Sequence, residues 1–185
     1  MDRSDVELIE AYRRGETSAV EVLVQRHLGR VRGLLFQLVL DRDAADELAQ
    51  DVFVSVLKNL DRFRGDAAFG TWLHRIAVNA ARQAARRVRS RSVLKQSAVE
   101  IGAVQETSDA TGPETNLIRI EQRDCVHAAL GRLSLPLRTA VVLTVMQGMS
   151  AIEAAEIESC SVGTMYWRIH EARRLLRDDL KGLIE

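Results

Sequence analysis

Residues 149–176 read MSAIEAAEIESCSVGTMYWRIHEARRLL, and the fold turns on how this stretch is wound. Ser150-Ala-Ile-Glu153 is a capping-box signature, in which a serine and a glutamate three residues later satisfy each other's end of a helix. The short helix it opens carries paired alanines, Ala154 and Ala155, that allow close crossing by a neighbour, and it ends near Ile157. Glu158-Ser159-Cys160 forms a tight turn, and Ser161 caps the next helix. At about 100° per residue, Met165, Ile169, Ala172 and Leu176 fall on one stripe, the spacing of a buried face. Trp167, one of two tryptophans in the chain, falls on the opposite side with Arg174, flanked by His170 and Glu171. A short helix, a turn and an amphipathic second helix make the helix-turn-helix pattern, with the second helix as reader of duplex DNA. An ordinary helical hairpin shares the same local pattern.

Working outward, the helical pattern holds along the chain. IRIEQRDCVHAALGRL and PLRTAVVLTVMQG precede the quoted stretch and complete a C-terminal domain over 117–185. At the other end, Ser4-Asp-Val-Glu7 is a capping box whose helix stops at Gly15. Ser18-Ala-Val-Glu21 reads as another, opening a helix to about Leu40. Asp43 starts a third helix, whose Ala45, Leu48, Val52, Val56 and Leu60 recur every three or four positions. It exposes Asp46, Glu47, Gln50 and Asp51. Residues 61–69 read as a loop, and TWLHRIAVNAARQAARRVRS as a fourth helix, giving an N-terminal domain over 1–91. Residues 92–116, rich in Ser, Thr, Gly, Pro and acids, read as a flexible acidic linker. The expected class is all-α, two small helical domains joined by that linker.

Composition agrees: 46% of the 185 residues are hydrophobic, 4% aromatic, and Pro occurs twice, which favours helices over sheet. No apolar run approaches the roughly 20 residues of a membrane span, and the acidic N-terminus does not resemble a signal peptide. Cys125 and Cys160 lack pairing or metal-ligand spacing, so a reduced, cytoplasmic setting is expected.

The net charge is zero but unevenly spread. No acid stands between Asp66 and Glu100, an interval holding Arg75, Arg82, Arg86, Arg87, Arg89, Arg91 and Lys95. Residues 96–116 then carry Glu100, Glu106, Asp109 and Glu114 with no base. An arginine block near aromatic residues points to a polyanion partner. The acidic stretch suits a segment that occupies a basic nucleic-acid channel as a mimic.

Catalytic chemistry finds no foothold. His27, His74, His127 and His170 are scattered without metal-site spacing, there is no phosphate-binding glycine loop, and no serine sits in a nucleophile elbow. No enzyme activity, metal or cofactor is expected.

Three stretches together resemble one family. FRGDAAFGTWLHRIAVNAARQAARR is similar to the promoter-melting segment of bacterial extracytoplasmic-function (ECF) sigma factors. DAADELAQDVFVSVLKNLDRF resembles the adjoining polymerase-binding helix, and MSAIEAAEIESCSVGTMYWRIHEARRLL the C-terminal helix-turn-helix of that family. The resemblance implies a subunit that binds core RNA polymerase and directs it to promoters. Its N-terminal domain would melt the −10 element and its C-terminal domain would read the −35 element. It also implies docking of the Asp46, Gln50, Asp51 and Phe53 face on the β′ coiled coil, and often an anti-sigma factor as partner.

The residues support matching roles. Melting needs backbone charge and groups that hold unstacked bases. Arg64, Asp66, Phe69, Arg75, Asn79, Arg82, Arg86 and Arg87 are the candidates, while Trp72 shares the stripe of Ile76 and reads as core. For −35 contacts the candidates are Thr164, Tyr166, Trp167, His170, Glu171, Arg173 and Arg174. Trp167 would pack on thymine methyls or sugar, and Glu171 would accept from a cytosine amino group. Several positions depart from the family's usual residues: Gly70 for an aromatic, His74 for tyrosine, Glu158 for leucine and Ser159 for glycine. A serine at that turn implies a left-handed residue or an altered turn. A free-standing helix-turn-helix regulator explains 117–185 equally well, but leaves the basic block and the RGDAAF loop without a role.

Overall fold

The computed structural model describes the backbone of residues 3–96 and 115–180, and the side chains of 3–90 and 124–177. Within that range it is all helix: α1 (Asp5–Arg13), α2 (Ser18–Val39), α3 (Arg42–Asn59), α4 (Phe69–Gln96), α5 (Thr115–Arg132), α6 (Leu135–Val141), α7 (Ala151–Glu158) and α8 (Val162–Leu180). α1–α4 and α5–α8 form the two helical domains. The linker expected over 92–116 gives up both ends to α4 and α5, and its acidic centre lies outside the described residues.

Local sequence explains most helix ends. The Ser4–Glu7 capping box is formed, with Ser4 N–H donating to Glu7 Oε2 at 2.7 Å. The box expected at Ser18–Glu21 is not formed. Ser18 is already helical, and Thr17 precedes it with helical backbone and no side-chain cap. Gly15, at φ +98°, turns the chain between α1 and α2, and the backbone is already helical at Thr17. α3 begins one residue earlier than Asp43, because Asp41 is its N-cap and accepts from Ala44 N–H at 2.7 Å.

α2 is the spine of the N-terminal domain, packing against α1, α3 and α4. Its Leu34, Leu35 and Leu38 are fully buried, with Val52 and Val56 of α3 and Leu73, Ala77 and Val78 of α4. In such a core, truncating one leucine to alanine costs about 2–5 kcal/mol. His27 of α2 is buried there and its Nε2 meets Asp5 Oδ2 at 2.8 Å, which ties the start of α1 to the spine.

In the C-terminal domain α8 lies across α5, α6 and α7. α6 runs into a π-helical turn, Val142–Met146, closed by Gln147 N–H on Val142 O at 3.0 Å. Arg138 fixes the α5–α6 corner through the carbonyls of Leu130, Gly131 and Leu133, and reaches Leu38 O of α2 at 2.7 Å.

Candidate nucleic-acid and polymerase interfaces

The stripe read on α8 is the buried one: Met165 and Ala172 are fully covered, Ile169 nearly so, and Leu176 is partly covered. The Ser150–Glu153 capping box starts α7 as expected. Ser159 then takes the left-handed conformation at φ 51°, ψ 46°, the turn that redirects the chain into α8. Ser161 Oγ accepts from Thr164 N–H at 3.1 Å and lies 2.8 Å from Thr164 Oγ1, so Thr164 helps cap the helix start. Tyr166 and Trp167 stand 60% and 62% exposed. Trp167 therefore does not fold down onto Leu175. His170, Arg173 and Arg174 are also exposed. Glu171 departs from expectation: both its oxygens are held by Arg174, at 2.9 and 2.7 Å, which also keeps its carboxyl below the usual range. It orients Arg174 instead of standing ready for a base.

On α4 the predicted residues divide. Asn79, Arg86 and Arg87 are exposed, as are Arg64 and Asp66 in the preceding loop. Phe69 is a correction. It is 3% exposed, set edge-on to Phe63 at 5.6 Å and to His27 at 5.2 Å, so it anchors α4 in the core and cannot stack on a base. Trp72 packs against the same core, its ring 5.4 Å from Phe63. Arg75 and Arg82, both expected on the DNA face, reach instead into the C-terminal domain. Arg75 Nη2 donates to Glu156 O at 3.1 Å and Arg82 Nη2 to Glu158 O at 3.3 Å.

Arg13 of α1 was not legible as a site residue, yet it shapes the loop. Its Nη2 donates to Leu60 O, Asp61 O and Phe63 O at 3.1, 3.3 and 2.5 Å, which holds the entry to Arg64–Asp66. His74 fills the position where the family favours tyrosine, and it is buried. Its Nδ1 lies 2.6 Å from Gly70 O, and since a carbonyl only accepts, Nδ1 carries the proton. Nε2 is buried with no partner, and burial lowers the pKa below the usual histidine value.

On α3, Gln50 and Asp51 are exposed as expected. Asp46 is only half exposed, gripped by Arg32 Nε and Nη2 at 2.6 Å each, and this pair keeps its carboxyl low. Phe53 is a second correction. At 7% exposure it packs inside the domain, because it shares the inward arc of Val52 and Val56. The face is completed by Val54 and Leu57, apolar yet exposed. Both lie off the core stripe, which is the signal that could have found them.

The comparisons with known proteins follow the same division. Models of sigma-70 region 2 and of sigma-70 region 4 match residues 23–91 and 123–176. The chain is 33% identical over 184 residues to the RNA polymerase sigma-H factor of Pseudomonas aeruginosa, covering 97% of this chain and 95% of that protein. It is 34% identical over 185 residues to the ECF RNA polymerase sigma-E factor of Escherichia coli (strain K12), covering 98% and 96%. The chain belongs to the ECF branch of the sigma-70 family.

Two solved structures share the fold of this sigma factor. The sigma factor RpoE of Bartonella quintana, solved with the anti-sigma factor NepR, gives a TM-score of 0.68 at 28% identity, over 85% of this chain and 94% of that one. CnrH, solved with the cytosolic domain of CnrY, gives 0.69 at 26%, over 98% and 99%. As an ECF sigma factor the protein binds core RNA polymerase and promoter DNA and directs promoter-specific initiation, with no catalysis of its own. No helix among the described residues is long and apolar enough to cross a membrane. The region 2 match begins inside α2, so α1, with its Asp5 and Arg13 ties, lies outside it.

Proposed function

We propose that the two domains divide promoter recognition, with α1–α4 opening the −10 element and α5–α8 reading the −35 duplex. The observation that supports this reading most directly is α8 itself. Its covered stripe leaves Tyr166, Trp167, His170, Arg173 and Arg174 together on the free side, behind a short helix and a tight turn. Tyr166 and Trp167 supply apolar contact with thymine methyls and sugars. Arg173 and the Glu171-oriented Arg174 contact phosphates, and His170 a base edge or phosphate. Thr164 sits at the helix start, where a recognition helix meets the groove.

On α4, the exposed Arg86 and Arg87 would track the DNA backbone, with Arg64, Asp66 and Asn79 lining the place for an extruded base. On α3, Gln50, Asp51, Val54 and Leu57 would dock on the β′ coiled coil, with Asp46 fixed by Arg32 at the edge and Phe53 supporting the face from within. An anti-sigma factor is proposed as a further partner, since both structural relatives were solved bound to one or to a cytosolic domain. The cytoplasm is the compartment this requires.

The deciding experiment is transcription of a genomic library in vitro by core polymerase with and without the chain, mapping transcript starts. The expected result is a set of chain-dependent starts preceded by shared −35 and −10 sequences. Substitution of Trp167 should shift the first motif and substitution of Asn79 the second. Chain-dependent starts without a shared −35 motif would overturn the division of labour.

A further inference from the structure

The loop proposed to hold an extruded base spans residues 64–68, all exposed, between the buried Phe63 and Phe69. The two phenylalanines meet edge-on at 5.6 Å and close the foot of the loop. Each side of that foot is tied to α1, from opposite ends of the helix. At the entry, Arg13 Nη2 donates to the carbonyls of Leu60, Asp61 and Phe63. At the exit, Phe69 packs edge-on against His27 at 5.2 Å, and His27 Nε2 lies 2.8 Å from Asp5 Oδ2. The other oxygen of Asp5 accepts from Arg26 Nη1 at 2.7 Å, which fixes the carboxylate in place.

These ties have physical reasons. Leu60–Arg62 is a tight helical turn that ends α3, and carbonyls at a helix end lack partners within the helix and favour a cation. Three carbonyls converging on one nitrogen fix the path of the chain from Leu60 to Phe63. α1 can bear the load because Leu8, Ile9 and Ala11 are buried and seat it on the domain. Between α1 and the loop lies a cavity of about 310 Å³, open to solvent, with Val6 and Ile9 on one side and Phe63, Arg64 and Gly65 on the other. Across that gap the Arg13 hydrogen bonds, and not side-chain packing, set where the loop stands.

We propose that α1 is a brace for the base-capturing loop, with Arg13 at its entry and Asp5, through His27, at its exit as positioning residues. A helix outside the matched region 2, which begins at residue 23, thus sets how strictly the chain selects its −10 bases. The inference rests on residues 64–66 receiving the base. A pocket discriminates only while its groups are held to about 0.5 Å, and an unbraced loop spends part of its time elsewhere. Arg86 and Arg87 stand on α4 itself, so their backbone contacts do not depend on the brace. Releasing it therefore lowers selectivity more than affinity.

The test compares Arg13→Gln, Arg13→Lys and Arg14→Gln. Arg14, exposed and 4.0 Å from Glu10, gives up the same charge without a bond to the loop. Hydrogen exchange of amides 60–68 in the free full chain reports how firmly the loop is held. Open-complex formation by the reconstituted holoenzyme, on a library-selected promoter and on copies with single −10 substitutions, reports selectivity. Arg13→Gln is expected to exchange faster in the loop. If one loop in ten then holds the capture geometry, its −10 selectivity falls about tenfold. Core binding and −35 discrimination stay at wild-type levels. Arg13→Lys, which reaches fewer carbonyls, falls between, and Arg14→Gln matches wild type.

Unchanged loop exchange in Arg13→Gln, a loosened loop with full −10 selectivity, or an equal loss in Arg14→Gln would each overturn the brace. So would a loss equal on every −10 sequence, since that reports general weakening. Should Arg13→Gln lose its helical circular dichroism, Asp5→Ala, which frees the exit side, decides by the same ratio. A wild-type holoenzyme without any −10 preference counts instead against the functional reading, whereas wild-type preference kept intact by Arg13→Gln counts against the brace alone.

Discussion

Replacing Trp167 by alanine separates a DNA-reading side chain from a packing one, because Met165, two residues earlier, provides the opposite case. Trp167 is 62% exposed and Met165 fully buried on the same helix. A fully buried tryptophan covers about 150–250 Å², so roughly 120 Å² of this one still faces water in the free protein. If DNA covers one face of the indole, about 60 Å² leaves water, worth about 1.5 kcal/mol at 25 cal/mol per Å², or roughly tenfold in affinity. Folding should barely respond. An exposed substitution moves stability by about 0.5 kcal/mol or less, and alanine has the better helix propensity. Met165→Ala should do the reverse, losing about 2–5 kcal/mol of stability. The assays are thermal unfolding of the two variants, and competition binding of the reconstituted holoenzyme to a library-selected promoter with intact or scrambled −35 element. The expected outcome for Trp167→Ala is an unchanged melting temperature with about a tenfold loss confined to the intact −35 element. A melting temperature as low as that of Met165→Ala, or equal loss on both promoters, would refute the assignment.

The remaining expectations concern other surfaces and the turn. Burial, with the Arg30 charge nearby, lowers the folded pKa of His74 below the unfolded value of about 6.5. Its contribution is therefore complete above the unfolded pKa and lost as pH falls through the folded one; His74→Gln should flatten the urea-measured stability between about pH 7.5 and pH 5, and an unaltered slope would sink the idea. Asp51→Arg should slow docking on core polymerase and weaken it roughly tenfold at low salt, less as salt rises, with the melting temperature unchanged; surface plasmon resonance at two salt concentrations checks it. Ser159→Gly should raise the urea midpoint by about 1 kcal/mol equivalent, since a left-handed non-glycine is relieved, less the added freedom of the unfolded chain. A lowered midpoint would mean that the serine side chain, not the backbone, matters there.

Legibility followed the range of the interactions. The Ser150–Glu153 box, the Ser161 cap and the Met165–Ile169–Ala172 stripe are settled within one or two helical turns, and each is present as read. Ser18 carried the same capping signature and failed, because Thr17 before it already has helical backbone, which leaves Ser18 inside the helix and not at its cap. The exposed sides of α3 and α8 were legible as faces. Their aromatic members were legible only where periodicity was consulted: Trp167 lies opposite its stripe, whereas Phe53 lies beside Val52 on the inward arc.

What lies over a face is a different question, and no local pattern answers it. Arg75, Arg82, Arg86 and Arg87 look alike in sequence, four arginines on one basic helix. The fold separates them, engaging the first two with α7 and leaving the last two exposed. Glu158 is separated from Arg82 by 76 residues, so in sequence it stood out only as an acid where the family favours leucine. An isolated carboxylate in a core is costly unless paired, and breaking such a pair costs more than never having made it. A buried acid at an apolar position therefore implies basic partners somewhere in the chain, and a basic block without compensating acids offers them. Read together, those two anomalies describe one contact, and only the packing of α4 against α7 shows that they share it.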